Sequence, residues 1–284
     1  RSYRRVQQFG SAGRSLFQSF AGILAQSEPD AKRYQALGVE DVIVMGNMKF
    51  DVIGQIGAQS LGKQWKHALR QQGRLAVCAA STRAGEETII IDAWKRLIQK
   101  HQFDKRPILI LVPRHPDRFS EVADFLHQSG LSFERRTNLT DPRSSDELDP
   151  SSHWAQVDVL LGDSMGEMAA YYSASDIVVM GGSLLPTGGQ NLIEACANGC
   201  PVILGEHTFN FQQASEDAIA SQAAMRITVS SNSELDQLLS EAIETLLTNT
   251  EQRQVMSGNA LEYASHHQGA TQKILDRLRP VLRS

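Results

Sequence analysis

A strand, a glycine-rich turn and the start of a helix follow one another in Asp176-Ile-Val-Val-Met-Gly-Gly-Ser-Leu-Leu-Pro-Thr-Gly-Gly-Gln-Asn-Leu-Ile-Glu-Ala-Cys-Ala-Asn198. The apolar run at 176–180 predicts a buried strand. Residues 181–191 hold four glycines, which leave backbone N–H groups unscreened beside a helix N-terminus. Such a turn suits a phosphate. An ordinary strand-to-helix loop that uses glycine only for its tight geometry explains the stretch equally well.

The same alternation of apolar runs and amphipathic stretches extends from Gly73 onward. It predicts an α/β fold of βαβ units with a parallel sheet covered on both faces. Right-handed crossovers then place every strand-to-helix loop on one edge of the sheet. The predicted strands are 75–80, 108–112, 132–136, 157–161, 177–180, 202–204 and 226–229. The predicted helices are 86–100, 117–128, 166–173, 191–198, 211–220 and 234–248.

The chain divides into four predicted segments. Residues 1–50 carry two short strand patterns and a helix opened by Ser27-Glu-Pro-Asp30, which predicts the C-terminal part of a first α/β domain. Residues 51–72 lack a clear hydrophobic period and predict an interdomain linker. Residues 73–250 predict a complete second domain. Residues 251–284 predict a long C-terminal helix, broken near Gly258 and Gly269.

Composition excludes several classes of protein. The net charge of −4 gives no global field that favours nucleic acid. No apolar window is long enough to predict a transmembrane helix. The pattern of His, Cys, Asp and Glu predicts no metal site. The three cysteines predict buried packing thiols rather than disulfides, and they are Cys78, Cys196 and Cys200.

Three further loops follow predicted strands. Ala80-Ser-Thr-Arg-Ala-Gly-Glu-Glu87 offers the hydroxyls of Ser81 and Thr82, although helix capping accounts for them as well. Pro113-Arg-His-Pro-Asp-Arg118 is stiffened by two prolines and carries Arg114 and His115. The planar fork of arginine suits a phosphate or a carboxylate, while a proline turn with solvated charges is the alternative.

The last of these loops is Gly162-Asp-Ser-Met-Gly-Glu167. Gly166 leaves its N–H accessible, and Met165 is suited to lie against a planar base, although a helix cap at this point is expected too. Together with the glycine turn, these loops predict one pocket for an anionic ligand that carries a nucleotide.

Taken in order, these motifs resemble one enzyme family. The string Gly46-Asn-Met-Lys-Phe-Asp51 is followed by Ala79-Ala-Ser-Thr82, Pro113-Arg-His-Pro116, Gly162-Asp-Ser-Met-Gly-Glu167, Gly181-Gly-Ser-Leu184 and His207-Thr-Phe-Asn-Phe211. The chain resembles the 3-deoxy-D-manno-octulosonic acid (Kdo) transferases, which add Kdo to the lipid A precursor of Gram-negative bacteria. The resemblance runs from about Ser27 to the C-terminus. It implies the GT-B fold, in which two Rossmann-like domains face each other and a final helix crosses back to the first.

The resemblance also implies a donor, CMP-Kdo, bound mainly by the C-terminal domain. Arg114 and His115 would lie at the nucleotide and its phosphate, and Ser81 near the sugar carboxylate or phosphate. The other implied substrate-binding residues are Met165, Gly166 and Glu167 around the cytidine, Gly189, Asn191 and Glu194 at ribose and phosphate, and Lys49 at the domain junction.

The resemblance implies an inverting, metal-independent transfer with no cofactor. The family's general base is a Glu near the start of the N-terminal domain, so it is expected upstream of Arg1 and this chain is expected to be inactive alone. The membrane-associating stretch and most of the site for the acceptor, lipid IVA, are expected there too. The protein would then be peripheral at the cytoplasmic face of the inner membrane.

Two alternatives stay open on the sequence. One is a GT-B nucleotide-sugar epimerase, which would use UDP-sugars. The other is a non-catalytic module that binds a nucleotide or a protein partner.

Overall fold

The computed structural model describes residues 6, 10–46, 48, 51, 56–139, 153–228, 235–267 and 269–282. The chain forms two compact units. The first is Arg1–Val52 together with His266–Ser284, and the second is Ile53–Ser265.

The first unit contains a small parallel sheet. Its elements are α1 (Gly10–Gln18), β1 (Ile23–Ala25), α2 (Glu28–Gln35), β2 (Val42–Val44) and the C-terminal helix (Ala270–Leu282). β1 and β2 pair in parallel, with Ile23 beside Val42. The Ser27 hydroxyl accepts the N–H of Asp30, which confirms the predicted capped start of α2.

A carboxylate from the end of the Gly46–Asp51 string caps the C-terminal helix. Asp51 accepts hydrogen bonds from the backbone N–H groups of Gly269, Ala270 and Thr271. Further along the helix, Arg277 forms an ion pair of 2.8 Å with Asp41. These contacts join Asp41 and Asp51 to the C-terminal helix within this unit.

The second unit is a doubly wound parallel sheet of seven strands, in the order β5-β6-β4-β3-β7-β8-β9. The strands are β3 (Ala76–Thr82), β4 (Ile108–Pro113), β5 (Phe133–Arg135), β6 (Val159–Leu161), β7 (Ile177–Met180), β8 (Val202–Leu204) and β9 (Ala224–Arg226). The helices are α3 (Ile56–Gln71), α4 (Glu86–Lys100), α5 (Phe119–Ser129), α6 (Met168–Ala174), α7 (Ile193–Ala197), α8 (Gln212–Ala220), α9 (Leu235–Thr248) and α10 (Thr250–His267). α10 ends just past the boundary of the unit.

The central strands are buried along almost their whole length: every residue of β4 and β7 is buried, and in β3 only Ser81 is partly exposed. Continuous apolar runs of this kind occur in parallel sheets that are covered on both faces. The three cysteines are free and buried, as predicted. No helix among the residues that the structure describes is both long and apolar enough to cross a bilayer.

Two predictions about the ends of the second unit are wrong. Most of the predicted linker 51–72 is the helix α3, whose Trp65 packs on Tyr171 with ring centres 5.7 Å apart. Gly62 lets α3 approach α6, because a Cβ at this position would collide with the carbonyl oxygen of Ala170. The glycine that indicated a linker is therefore required by close helix packing.

The predicted break at Gly258 is absent, since α10 continues through it. A glycine costs a helix only about 1 kcal/mol relative to alanine, and the buried side chains of Met256, Ala260 and Ala264 outweigh that cost. The break near Gly269 is present. The last strand is 224–226 rather than 226–229, and Val229 lies outside the described residues.

Candidate functional site

The four predicted loops meet at one edge of the sheet. β6, β4, β3 and β7 are neighbours and all run parallel, so the loops that follow them lie at the carboxyl end. The chain order reverses direction between β3 and β7, which makes their gap the topological switch point of the sheet. Ligands of open α/β sheets bind in the crevice at this point.

Ser81 lies at a strained position beside the switch point. Its φ is +56°, and the register between β3 and β4 shifts between Ala80 and Thr82. A non-glycine residue in this region is uncommon and marks a position fixed by its surroundings. β7 approaches so closely here that a Cβ on Gly181 would collide with the carbonyl oxygen of Ser81.

The glycine turn after β7 is folded around a carboxylate of the protein itself. Glu86 is fully buried and accepts N–H bonds from Gly182 at 2.7 Å, Leu184 at 3.0 Å and Arg83 at 2.8 Å. Burial raises the pKa of Glu86, and these hydrogen bonds oppose that rise. The N–H of Gly189 donates to the carbonyl of Gly182 at 2.6 Å.

The expectation that N–H groups of this turn face a phosphate is therefore wrong for Gly182, Leu184 and Gly189. An internal carboxylate or carbonyl already takes these donors. The glycines are needed for the turn itself, with φ values of +71° at Gly182, +99° at Gly188 and +78° at Gly189. The part of Gly189 in ligand binding stays a prediction.

Asn191 and Glu194 form a polar pair at the start of α7. The side-chain oxygen of Asn191 accepts the N–H of Ile193 at 3.1 Å, and its amide donates to Glu194 at 3.1 Å. Burial raises the pKa of Glu194, while the Asn191 hydrogen bond and the charge of Arg114 oppose the rise. The structure thus brings Arg114, Asn191 and Glu194 together, as the sequence predicted.

The proline-rich loop after β4 is fixed by its last arginine. Arg118 binds Glu87 with two hydrogen bonds of 2.7 and 3.2 Å, and Thr82 donates to Glu87 at 2.6 Å. These charge-assisted bonds raise the pKa of Arg118 above its ordinary value. Arg114 and His115 are exposed on this fixed loop. Arg118 therefore has a structural role, and Arg114 is presented to solvent.

The loop after β6 exposes the side chain of Met165 next to a carboxylate that is already in an ion pair. Met165 is 61% exposed, and Gly166 has a φ of +77° with open space where a Cβ would lie. Glu167 forms an ion pair of 2.8 Å with Arg136. The guanidinium of Arg136 lies over the ring of Trp65, 5.3 Å from its centre. Glu167 thus holds the loop in place beside Met165.

The same loop contains the pattern Gly-x-Ser-x-Gly at 162–166, which is typical of a hydrolase nucleophile. Its Ser164 hydroxyl is bonded to the carboxylate of Glu167 and lies 2.6 Å from the Tyr171 hydroxyl. No histidine bonds to it in the part of the chain that the structure describes. The geometry of a serine triad is therefore not formed there.

Lys49 lies outside the described residues, so its predicted role is not placed. Within the ranges that the structure describes, no three His, Cys, Asp or Glu side chains converge as a metal site would require. Pattern reasoning did not single out Arg83 or Arg136, and it interpreted Glu86 as the start of a helix rather than as the carboxylate that binds the glycine turn. Arg83 directly follows β3, and this position at the end of a strand could have indicated that Arg83 lies at the ligand-binding edge of the sheet.

Solved structures share this fold. The C-terminal CMP-Kdo binding domain of WaaA from Acinetobacter baumannii has a TM-score of 0.55 at 27% identity, covering 76% of this chain and 98% of that domain. Anabaena Alr3699/HepE, in complex with UDP and glucose, has a TM-score of 0.51 at 18% identity, covering 98% of this chain and 68% of that protein. The sheet, its switch point and these likenesses define a glycosyltransferase of the GT-B class.

Sequence matches narrow the class. Residues 1–52 match the family model for 3-deoxy-D-manno-octulosonic-acid transferase (kdotransferase), and residues 151–263 match glycosyl transferases group 1. The chain belongs to the Kdo transferase family. The transferase of Bordetella pertussis is 41% identical over 96% of this chain, and that of Haemophilus influenzae is 34% identical over 99%. The chain spans 60% and 62% of the length of these two relatives.

Proposed function

We propose that this chain is the donor-binding part of an enzyme that transfers Kdo from CMP-Kdo to a lipid A precursor, lipid IVA. The observation that carries the proposal is the group formed by Arg114, Asn191 and Glu194 at the switch point. It combines an exposed guanidinium for a phosphate with an amide and a carboxylate for hydroxyl groups. The likeness to a domain solved as a CMP-Kdo binding domain supports the choice of donor.

The proposed chemistry is an inverting displacement. A hydroxyl of the acceptor attacks C2 of Kdo, the bond from C2 to the phosphate oxygen breaks, and CMP leaves with the electron pair. The proton of the hydroxyl passes to a carboxylate in the acceptor domain of the whole protein. Arg114 neutralises the charge on the leaving CMP, with His115 next to it on the same loop, so the step uses no metal ion.

The remaining contacts follow from the same pose. Met165 and Gly166 border the base, with Glu167 holding their loop. Asn191 and Glu194 bind the ribose hydroxyls, and Gly189 allows the sugar-phosphate to approach the backbone. These roles fit the exposure of Met165 and the open space at Gly166.

We further propose that 1–50 are the C-terminal part of the acceptor domain and that 73–250 bind the donor. The match of residues 1–52 to the Kdo transferase model supports the first assignment. The helix at the C-terminus would return to the acceptor domain, in keeping with the grouping of His266–Ser284 with Arg1–Val52. Contact with the cytoplasmic face of the inner membrane would come from the acceptor domain.

Titration calorimetry of the purified chain with CMP and UDP tests the proposal. We expect CMP to bind more tightly than UDP, and Arg114→Gln to weaken CMP binding about 10- to 100-fold, since a charge-assisted hydrogen bond contributes about 1.5–3 kcal/mol. Tighter binding of UDP would favour the epimerase alternative. Binding of neither nucleotide would favour a non-catalytic module that binds a protein partner. Kdo transfer by this chain alone would contradict the proposal that the general base lies outside it.

A further inference from the structure

Among the residues that the structure describes, six arginines lie at the carboxyl edge of the large sheet, and four of them form ion pairs within the protein. Their partners are carboxylates: Arg118 pairs with Glu87, Arg135 with Asp163, Arg136 with Glu167 and Arg226 with Glu216. The other two arginines are Arg83 and Arg114. Among the residues that the structure describes, no carboxylate lies within ion-pair distance of either.

Arg83 is held at the first position after β3. Its backbone N–H donates to the buried carboxylate of Glu86 at 2.8 Å, so the turn that carries it is fixed. Its terminal nitrogen Nη1 lies 2.6 Å from Nε2 of His115, on the loop after β4. A guanidinium nitrogen can only donate, so Nε2 of His115 accepts this hydrogen bond.

The side chain of Arg83 is not fully satisfied by this contact. Its Nε is buried and has no hydrogen-bond partner among the described residues. A buried donor without a partner costs free energy, and so does a guanidinium without a counter-ion beside a second basic group. A bound anion would supply the missing counter-ion for the guanidinium.

Arg83 and Arg114 are placed to bind two different anions. They follow β3 and β4, which are adjacent in the sheet and therefore about 5 Å apart. The charge of Arg114 acts on Glu194, the residue proposed for the ribose, whereas the guanidinium of Arg83 contacts His115. Arg114 therefore lies on the nucleotide side of the site.

We propose that Arg83 binds the carboxylate of the donor sugar, while Arg114 binds the phosphate. The assignment rests on the proposed function. Kdo is an acid, so CMP-Kdo carries a carboxylate on the sugar in addition to the phosphodiester, and two unpaired arginines match these two charges. Arg83 would then distinguish an acidic sugar from a neutral one.

Titration calorimetry of the 284-residue chain with CMP and with CMP-Kdo tests the assignment. We expect Arg83→Gln to leave the affinity for CMP within about 2-fold and to weaken CMP-Kdo binding at least 10-fold, whereas Arg114→Gln weakens both. Arg83→Lys keeps the charge without the fork, and we expect it to restore part of the loss. Arg96→Gln, which removes an equal charge from the ion pair between the exposed Arg96 of α4 and Asp236 of α9, is the control and should change neither affinity.

Each other outcome overturns the assignment. If Arg83→Gln weakens CMP as much as CMP-Kdo, Arg83 is a phosphate ligand. If it changes neither affinity, Arg83 does not contact the donor. Retained CMP binding shows that the variant is folded. Failure of the unmodified chain to bind CMP overturns the proposed function itself, and the assignment with it.

Discussion

Glu194 combines a half-buried charge with a proposed role at the ribose. Burial raises the pKa of Glu194, and the Asn191 hydrogen bond and the charge of Arg114 oppose that rise only in part. The ionised carboxylate therefore lowers the stability of the folded chain. A carboxyl group whose folded pKa is raised binds its proton more tightly in the folded state. Its contribution to stability therefore falls as pH rises from the unfolded pKa to the folded pKa, and then stays constant.

We therefore expect Glu194→Gln to keep or raise the free energy of unfolding at pH 7 while weakening CMP binding about 10-fold, because an amide replaces an acceptor for ribose hydroxyls. Between about pH 4.3, the ordinary value for Glu, and neutrality, the wild-type chain should lose stability relative to the variant. Urea unfolding of both proteins at several pH values measures this difference. An identical pH dependence of the two proteins would contradict it.

Glu86 makes the glycine turn dependent on one buried carboxylate. In Glu86→Gln an NH2 group replaces one of the two oxygens that accept backbone N–H bonds. The NH2 group and a backbone N–H are both donors, so they face each other without a hydrogen bond. We expect a loss of about 1–3 kcal/mol in the free energy of unfolding and weaker CMP binding, measured by urea unfolding and calorimetry. Glu241→Gln, at an exposed position of α9, is the matched control and should unfold like the wild-type chain.

The positions of single residues were predictable where they follow from the strand order. They were less predictable at the glycine turn, where the carboxylate of Glu86 takes N–H groups that were expected to bind a phosphate. The meeting of Arg114 with Asn191 and Glu194 follows from parallel strands alone. The orientation of the Gly182 and Leu184 N–H groups depends on how closely Glu86 approaches them, which is a tertiary contact. No local pattern encodes it.

At the level of elements, the pair between Arg118 and Glu87 joins the proline-rich loop to α4. Both side chains are largely buried, at 13% and 4% exposure. Arg118→Met would leave Glu87 buried and uncompensated, and we expect it to lower the free energy of unfolding by about 3–5 kcal/mol. The double variant Arg118→Met, Glu87→Gln should recover part of that loss. If urea unfolding shows that the double variant loses the sum of the two single losses, the pair is not coupled.

Strands that are continuous apolar runs were predictable from the sequence. β4, β7 and β8 are continuous apolar runs, and their predicted positions agree with the structure to within a residue. β9 is a short strand at the edge of the sheet in which only Ala224 is buried, so its position is weakly encoded. α3 was missed because Gly57 and Gly62 obscure its period, although Gly62 serves helix packing.

At the scale of the whole molecule, the division into two units predicts two separable unfolding transitions. All three tryptophans, Trp65, Trp94 and Trp154, lie within the second unit. Tryptophan fluorescence therefore reports on that unit alone, whereas far-UV circular dichroism reports on both. Since CMP is expected to bind residues of the second unit, it should raise the urea concentration at the midpoint of the fluorescence transition.

Asp51 tests whether the first unit is independent. Burial works against its charge, but the hydrogen bonds from Thr271, Gly269 and Ala270 outweigh burial and lower the pKa of Asp51. Its capping contribution is therefore present above the unfolded pKa and is lost as pH falls through the folded pKa. Loss of a cap costs about 0.5–2 kcal/mol.

We expect Asp51→Ala to shift the part of the dichroism transition that belongs to the first unit at neutral pH, and we expect this shift to shrink as the pH falls below the unfolded pKa of Asp51. The fluorescence transition and the affinity for CMP should stay unchanged. Asp41→Ala removes an equal charge from the same unit but breaks only the exposed pair with Arg277, so it should have a much smaller effect. An equal shift of the fluorescence transition in Asp51→Ala would mean that the chain unfolds as one cooperative body.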